Sequence, residues 1–140
     1  MSQYSSAGIS IIVSAFGSTE EPPTQGVDPT STANTMAQFD LDAMNAQNGA
    51  AEAWLTTFTQ TLLTQLPQGQ FILTHAPLAP WFSTAYPQAY HIVDANVGSM
   101  IDWYNIQFYD QGATEYTDCN GLLTTSGGQF PSSSLFEIAN

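Results

Sequence analysis

Residues 8–16 read Gly-Ile-Ser-Ile-Ile-Val-Ser-Ala-Phe. The run Ile9, Ile11, Ile12 and Val13 is β-branched and apolar on both faces of an extended chain. A half-exposed strand alternates apolar and polar residues, whereas a run apolar on both sides suits a parallel strand covered on both faces. Gly17-Ser18-Thr19 ends the run, and Glu20-Glu21-Pro22-Pro23 opens a loop reaching about Asp28. Asp28-Pro29 pairs an N-cap residue with proline at the first helical position and predicts a helix through Ser31 to Phe39.

A second helix is predicted from Ala50, after Asn48-Gly49, to Leu66, where Pro67 stops it. Leu55, Phe58 and Leu62 share a stripe there, with Trp54, Leu63 and Leu66 beside it. Gln70 to Thr74 reads as a short strand, followed by the proline-stiffened loop His75 to Phe82. Tyr90 to Val97 reads as a short helix or turn, and Met100 to Tyr109 as an aromatic-rich strand. Asp110 to Gly128 is a polar, glycine-bearing loop, and Pro131-Ser132-Ser133-Ser134 begins a last helix over Leu135 to Ala139. The order is α/β. One strand is missing from it: the first two helices follow each other with about ten residues between them, where alternating units need a strand.

The chain has 140 residues, twelve Asp and Glu, two His and no Lys or Arg, for a formal charge of −12. Average composition would supply about fifteen basic residues. Their absence excludes phosphate-based nucleic-acid binding and a basic membrane-surface patch. It also removes any phosphate-binding or Schiff-base lysine and any arginine finger. With 43% apolar residues the chain is long and apolar enough to fold as one domain, residues 1–140. No apolar run is long enough to span a membrane, and the start Met-Ser-Gln-Tyr-Ser-Ser has no basic region like that of a signal peptide. Uncompensated negative charge predicts better folding, or association, at low pH or in salt.

Three clusters fall just after the predicted strands, where a parallel sheet places its functional rim. They are Ser14 to Ser18, including Phe16 and Gly17; Thr74 to Pro77, including His75, with Trp81; and Asn105, Gln107, Tyr109 and Asp110. Alternate positions such as 105, 107 and 109 point to one side of a strand. Neutral amides and aromatic faces with little charge suit a polyhydroxylated ligand such as a sugar. The plain alternative, that Trp81, Tyr104 and Tyr109 are core aromatics, stays open. His75 and His91, sixteen residues apart without a CxxC or HxxxH, lack zinc spacing. No metal or other cofactor is implied. Asp40-Leu41-Asp42 lacks the calcium-loop pattern, no Gly-x-Ser-x-Gly occurs, and Cys119 has no cationic neighbour in sequence to activate it.

The segments GISIIVSAFGS (8–18), FILTHAPLAPWF (71–82) and MIDWYNIQFYDQG (100–112) resemble glycoside hydrolase family 18. The likeness is to secreted fungal chitinases and endo-β-N-acetylglucosaminidases of the plant-type class. It implies the third, fifth and sixth strands of a (β/α)8 TIM barrel, so a partial barrel that does not close. It implies no counterpart of the family's fourth-strand Asp-x-x-Asp-x-Asp-x-Glu, because the helix ending at Phe39 runs directly into Asp40-Leu41-Asp42. In that family the Glu protonates the leaving oxygen, the sugar's acetamido group attacks, and a sixth-strand Tyr holds its carbonyl. Tyr109 matches that Tyr, Gln107 matches a sugar-contacting amide, and Asp110 stands where the family commonly has Asn. Cys119 falls in a loop where relatives carry a disulfide-bonded cysteine, whose partner is not in these 140 residues. The resemblance thus implies chitin or an N-glycan-type oligosaccharide as ligand, an extracellular setting and no hydrolysis. A non-catalytic sugar-binding module is the alternative. A third reading is an acidic protein that self-assembles, as a homo-oligomer, through open sheet edges.

Overall fold

The computed structural model describes residues 26, 28–30 and 49–140. The strand expected over 8–16, with Phe16 and Gly17, the helix from 31 to 39 and the Asp40-Leu41-Asp42 junction lie outside the described residues. Pro29 and Thr30 are helical directly after Asp28, as the cap pair predicts.

Helix α1 spans Ala50–Gln65. Gly49 precedes it at φ 82°, a left-handed conformation that costs glycine nothing. The Leu66 N–H closes the last turn on the Leu62 carbonyl at 2.9 Å, and Pro67 cannot extend the helix. Its buried stripe is Trp54, Leu55, Phe58 and Leu62, with the rings of Trp54 and Phe58 stacked at 5.2 Å. Helix α2, Ala89–Val97, packs against it through Tyr90, Val93 and Val97, three and four residues apart. Phe82 and Ile101 complete this core. Each such side chain, fully buried, contributes about 1.5–3 kcal/mol.

Two short strands lie beside the helices: β1, Thr74–His75, and β2, Trp103–Tyr104. They pair in parallel, Thr74 opposite Trp103 and His75 opposite Tyr104. Backbone bonds continue the pairing on either side: Asp102 N to Leu73 O (2.8 Å), Asn105 N to His75 O (2.8 Å) and Gln107 N to Pro77 O (2.9 Å). Ala79 N then donates back to Gln107 O (2.9 Å). Among the described residues this is an α/β arrangement with a small open sheet, not a closed barrel.

Both strands are shorter than expected, for local reasons. Gln70 and Phe71 are not in a strand, because their N–H groups fold back onto the Pro67 carbonyl (3.1 and 3.3 Å) around Gly69 at φ 86°. The apolar run from 70 to 74 therefore enters the sheet only at Thr74, leaving Ile72 69% exposed. Gly98–Met100 forms a 3-10 turn that delays β2, and Pro77 and Pro80 in the opposing segment have no N–H to extend the ladder. Pro80 instead opens a second 3-10 turn, Ala79–Phe82.

The C-terminal quarter is held by polar ties rather than by a large core. It contains α3, Cys119–Leu123, capped by the Asp118 carboxylate on Gly121 N at 2.7 Å, and α4, Leu135–Ile138. Glu137 Oε2 accepts from the N–H and hydroxyl of both Ser134 and Ser126, at 2.7–3.0 Å. This is a capping box widened to a second loop. Those bonds hold the Glu137 carboxyl down at about 2, so its contribution is complete above the ordinary 4.5 and lost only as pH falls toward 2. The buried Glu115 accepts from Gln129 N at 3.1 Å, and a Cβ on Gly127 would meet its carboxylate at 2.4 Å, so a larger residue at 127 would require the Glu115 side chain to shift.

Two titratable groups in the helix layer pull the pH dependence in opposite directions. The His75 ring, tied to Thr59 (3.2 Å) and to the Tyr90 hydroxyl, is held down to about 4 by burial. Its stabilising effect is complete above about 6.5 and lost as pH falls toward 4; the shift corresponds to roughly 3 kcal/mol. Glu52 on α1 is 2% exposed, and among the described residues neither of its carboxylate oxygens has a hydrogen-bond partner. Burial pushes its pKa up, so its ionised form destabilises the fold as pH rises through the raised value. Against the gain expected from Glu52 and from reduced charge repulsion at low pH, His75 should lower urea midpoints between pH 6.5 and 4, and His75→Gln should remove that loss; an unchanged slope would show that His75 makes no such contribution. Glu52→Gln should raise the midpoint at pH 7 and leave it unchanged at pH 3; equal midpoints at pH 7 would contradict an uncompensated charge.

Candidate functional site

The parity of β2 decides which side chains reach solvent. Tyr104 and Ile106 pack toward the helices, while Trp103, Asn105, Gln107 and Tyr109 take the other side. Two side-chain bonds between residues two apart confirm that parity: Trp103 Nε1 to Asn105 Oδ1 at 3.2 Å, and the Tyr109 hydroxyl to Gln107 Oε1. Gln107 Nε2 in turn donates to the Ala76 carbonyl, at the C-terminal end of β1. A relay Ala76–Gln107–Tyr109 thus fixes the amide and the phenol at the C-terminal edge of the parallel pair, where open α/β sheets carry their sites.

Asp110 follows at φ 59°, with the Gln111 amide donating back to the Tyr109 carbonyl at 2.7 Å and Gly112 at φ 88°. Asp tolerates this left-handed conformation better than most residues, as does the Asn common at this place in the family it resembles. The chain therefore turns sharply just beyond Tyr109 and leaves its ring 63% exposed. The outer loops are joined across the edge by Ser83 Oγ to Pro131 O (2.7 Å) and Thr84 N to Pro131 O (3.2 Å).

The structure brings together Asn105, Gln107, Tyr109 and Asp110 and separates them from His75 and Trp81. His75 lies on the helix side of β1, opposite Tyr104, and both of its ring nitrogens are engaged by protein hydroxyls. Trp81 is partly buried, stacked on Tyr90 at 6.1 Å. The rim expectation fails to anticipate this because it places both residues by nearness to the strand end and ignores side-chain parity. Phe16 and Gly17 lie outside the described residues. The same parity identifies a residue not among the candidates: Trp103, 48% exposed, on the side of Asn105 and Gln107. Two-residue alternation backward from Asn105 would have found it.

Cys119 is free and exposed. Among the described residues no group of three or more His, Cys, Asp or Glu is placed to hold a metal, and no helix is long and apolar enough to cross a membrane. His91 Nε2 donates to the Phe82 carbonyl at 2.7 Å. The site's chemistry is therefore that of amides, a phenol and an indole, with the Asp110 carboxylate at its end.

No family model matches the chain, and no curated protein is similar to it. Among solved structures, it is similar to a GH18 chitinase from Pseudoalteromonas aurantia, with a TM-score of 0.66 and 24% identity. The match covers 81% of this chain and 48% of that one, so the chain spans about half the chitinase's length. At that identity the likeness is one of fold. The chain has a chitinase-like fold, that of part of a GH18 domain.

Proposed function

We propose that these 140 residues bind oligomers of N-acetylglucosamine at the C-terminal edge of the β1–β2 pair and do not hydrolyse them. The observation that carries this reading is the Ala76–Gln107–Tyr109 relay, which holds an exposed phenol and amide in one arrangement. Without ligand the Tyr109 hydroxyl donates to Gln107 Oε1. An acetamido carbonyl arriving at Tyr109 would take over that proton, and Gln107 Oε1 would then accept from a sugar hydroxyl or N–H. One hydrogen bond is exchanged for two, which suits a ligand rich in both donors and acceptors. The chitinase-like fold supports the same ligand class.

Hydrolysis needs more than this. A glycosidic oxygen is a poor leaving group, and protonating it in the transition state contributes about 10²–10⁴-fold in rate. No Asp-x-x-Asp-x-Asp-x-Glu occurs in these 140 residues, and Asp102 and Asp110, which flank positions 103–109, belong to no such motif. Calorimetry with the N-acetylglucosamine tetramer should show binding that Tyr109→Phe weakens about five- to tenfold, equivalent to one hydrogen bond. Reducing-end release from the tetramer should stay at background. Absence of binding would overturn the ligand assignment, and turnover abolished by Tyr109→Phe would overturn the non-hydrolytic one.

A second reading, self-association through the open sheet, is favoured by the exposure of Phe71 (41%) and Ile72 (69%) beside β1. Light scattering coupled to size exclusion should then show mass rising with concentration, more so in salt that screens the −12 charge. A constant monomer mass at all concentrations would remove it.

A further inference from the structure

The register that sets Asn105, Gln107 and Tyr109 at the edge of the sheet is carried by a very short ladder. β1 and β2 pair over two residues each. The turn around Gly69 stops the pairing on one side, and Pro77 and Pro80 limit it on the other. Backbone N–H and C=O groups are alike at every position, so the ladder's own bonds do not distinguish one register from another. Alternation excludes a slip of one residue, which would turn Tyr104 and Ile106 out of the helix layer. It does not exclude a slip of two, because Met100, Tyr104 and Ile106 all share the inner parity.

One side chain, directly before β2, discriminates between these registers. The Asp102 N–H donates to Leu73 O at 2.8 Å, and Asp102 Oδ2 accepts from Leu73 N, also at 2.8 Å. Both main-chain groups of Leu73 are thus engaged by one residue, and the second bond has a charged acceptor, the stronger kind. The neighbours of Asp102 cannot replace it. Ile101 has no polar side-chain atom, and the Trp103 indole only donates. A slip of two brings Met100, whose thioether is a weak acceptor, or Tyr104, whose hydroxyl stands at the far end of its ring and is already given to Asp94 at 2.6 Å. Asp102 is exposed and fills no part of the core, so its replacement removes this clamp without opening a cavity.

We propose that Asp102 is a positioning residue of the candidate site: its carboxylate pins β2 in register against β1 and so decides where along the sheet Asn105, Gln107 and Tyr109 stand. It acts through Leu73 and touches no ligand. Its effect on affinity rests on the sugar-binding reading; its effect on the ladder does not.

Amide hydrogen exchange of the full chain, followed by nuclear magnetic resonance in wild type and Asp102→Ala, reads the pin directly. The Asn105 and Gln107 amides donate to His75 O (2.8 Å) and Pro77 O (2.9 Å). In Asp102→Ala they should exchange about 10- to 100-fold faster, the range for losing a hydrogen bond to a charged group. Amides of α1 should keep their wild-type rates. Asp102→Asn, which retains an oxygen acceptor, should recover most of the protection. Asp102→Glu, with its carboxylate one methylene farther out, should not, and it carries the comparison if Asp102→Ala fails to fold. Calorimetry with the N-acetylglucosamine tetramer should show affinity lowered in Asp102→Ala and restored in Asp102→Asn. Unchanged exchange at Asn105 and Gln107 would overturn the pin. Equal acceleration throughout α1 would overturn it too, since Asp102 would then serve global stability alone. Altered exchange with wild-type tetramer affinity would overturn its role in the site. A wild type that binds no tetramer would overturn the sugar-binding reading and leave the exchange rates to decide the pin.

Discussion

The parallel register that sets His75 opposite Tyr104 is the constraint from which the rest of the structure follows. In a parallel pair, residues in register point to the same side. Fixing His75 against Tyr104 therefore sends both into the helix layer and sends Thr74 and Trp103 outward. A slip of β2 by one residue would turn the indole and both amides into the core and expose Tyr104. The inner side is committed by packing: Tyr104, Tyr90 and Phe82 meet edge-on or tilted at 5.2–6.0 Å, and Val93, Val97 and Ile101 close around them. The outer side is what remains, and it carries the candidate site.

A chain without Lys or Arg has to satisfy its interior by other means. It uses hydroxyls, amides and an uncharged imidazole. Thr59, His75 and Tyr90 form one connected set, and Tyr104 donates to Asp94 at 2.6 Å nearby. Neutral groups carry smaller desolvation costs than buried ion pairs. Where a carboxylate is engaged, as at Glu137, serine hydroxyls and backbone N–H groups do what a cation does elsewhere. Among the described residues Glu52 is the exception, a buried carboxylate with neither oxygen hydrogen-bonded. The absence of basic residues leaves no Lys or Arg to neutralise a charged ligand, and it is compatible with an outer strip that recognises a ligand through amides and rings.

Helix α1 was legible because its signals are local: Asn48-Gly49 before it, a 3–4 stripe of Leu55, Phe58 and Leu62, and Pro67 after it. The last helix was legible for the same reason, with Ser134 and Glu137 three apart. The strand ends were not. Apolar residues 70–73 look like strand, but the turn around Gly69 holds Gln70 and Phe71 back, and periodicity does not register a backbone hydrogen bond to Pro67. Of the site, Asn105, Gln107 and Tyr109 were legible from alternation. His75 and Trp81 were drawn in by nearness to a strand end, and parity and the stack on Tyr90 take them elsewhere. Trp103 was within reach of the alternation rule that identified its neighbours, two residues before Asn105.

The central claim is that one face of this small sheet, defined by residue parity, is the ligand-binding face. The most direct measurement is a nuclear magnetic resonance titration with the N-acetylglucosamine tetramer. It would follow the side-chain amides of Asn105 and Gln107, the three indole N–H signals and the His75 ring together. The account predicts that the Asn105, Gln107 and Trp103 signals move in concert while those of Trp54 and His75 stay fixed. Movement confined to Trp81 and His75, with the Asn105 and Gln107 amides unchanged, would contradict it.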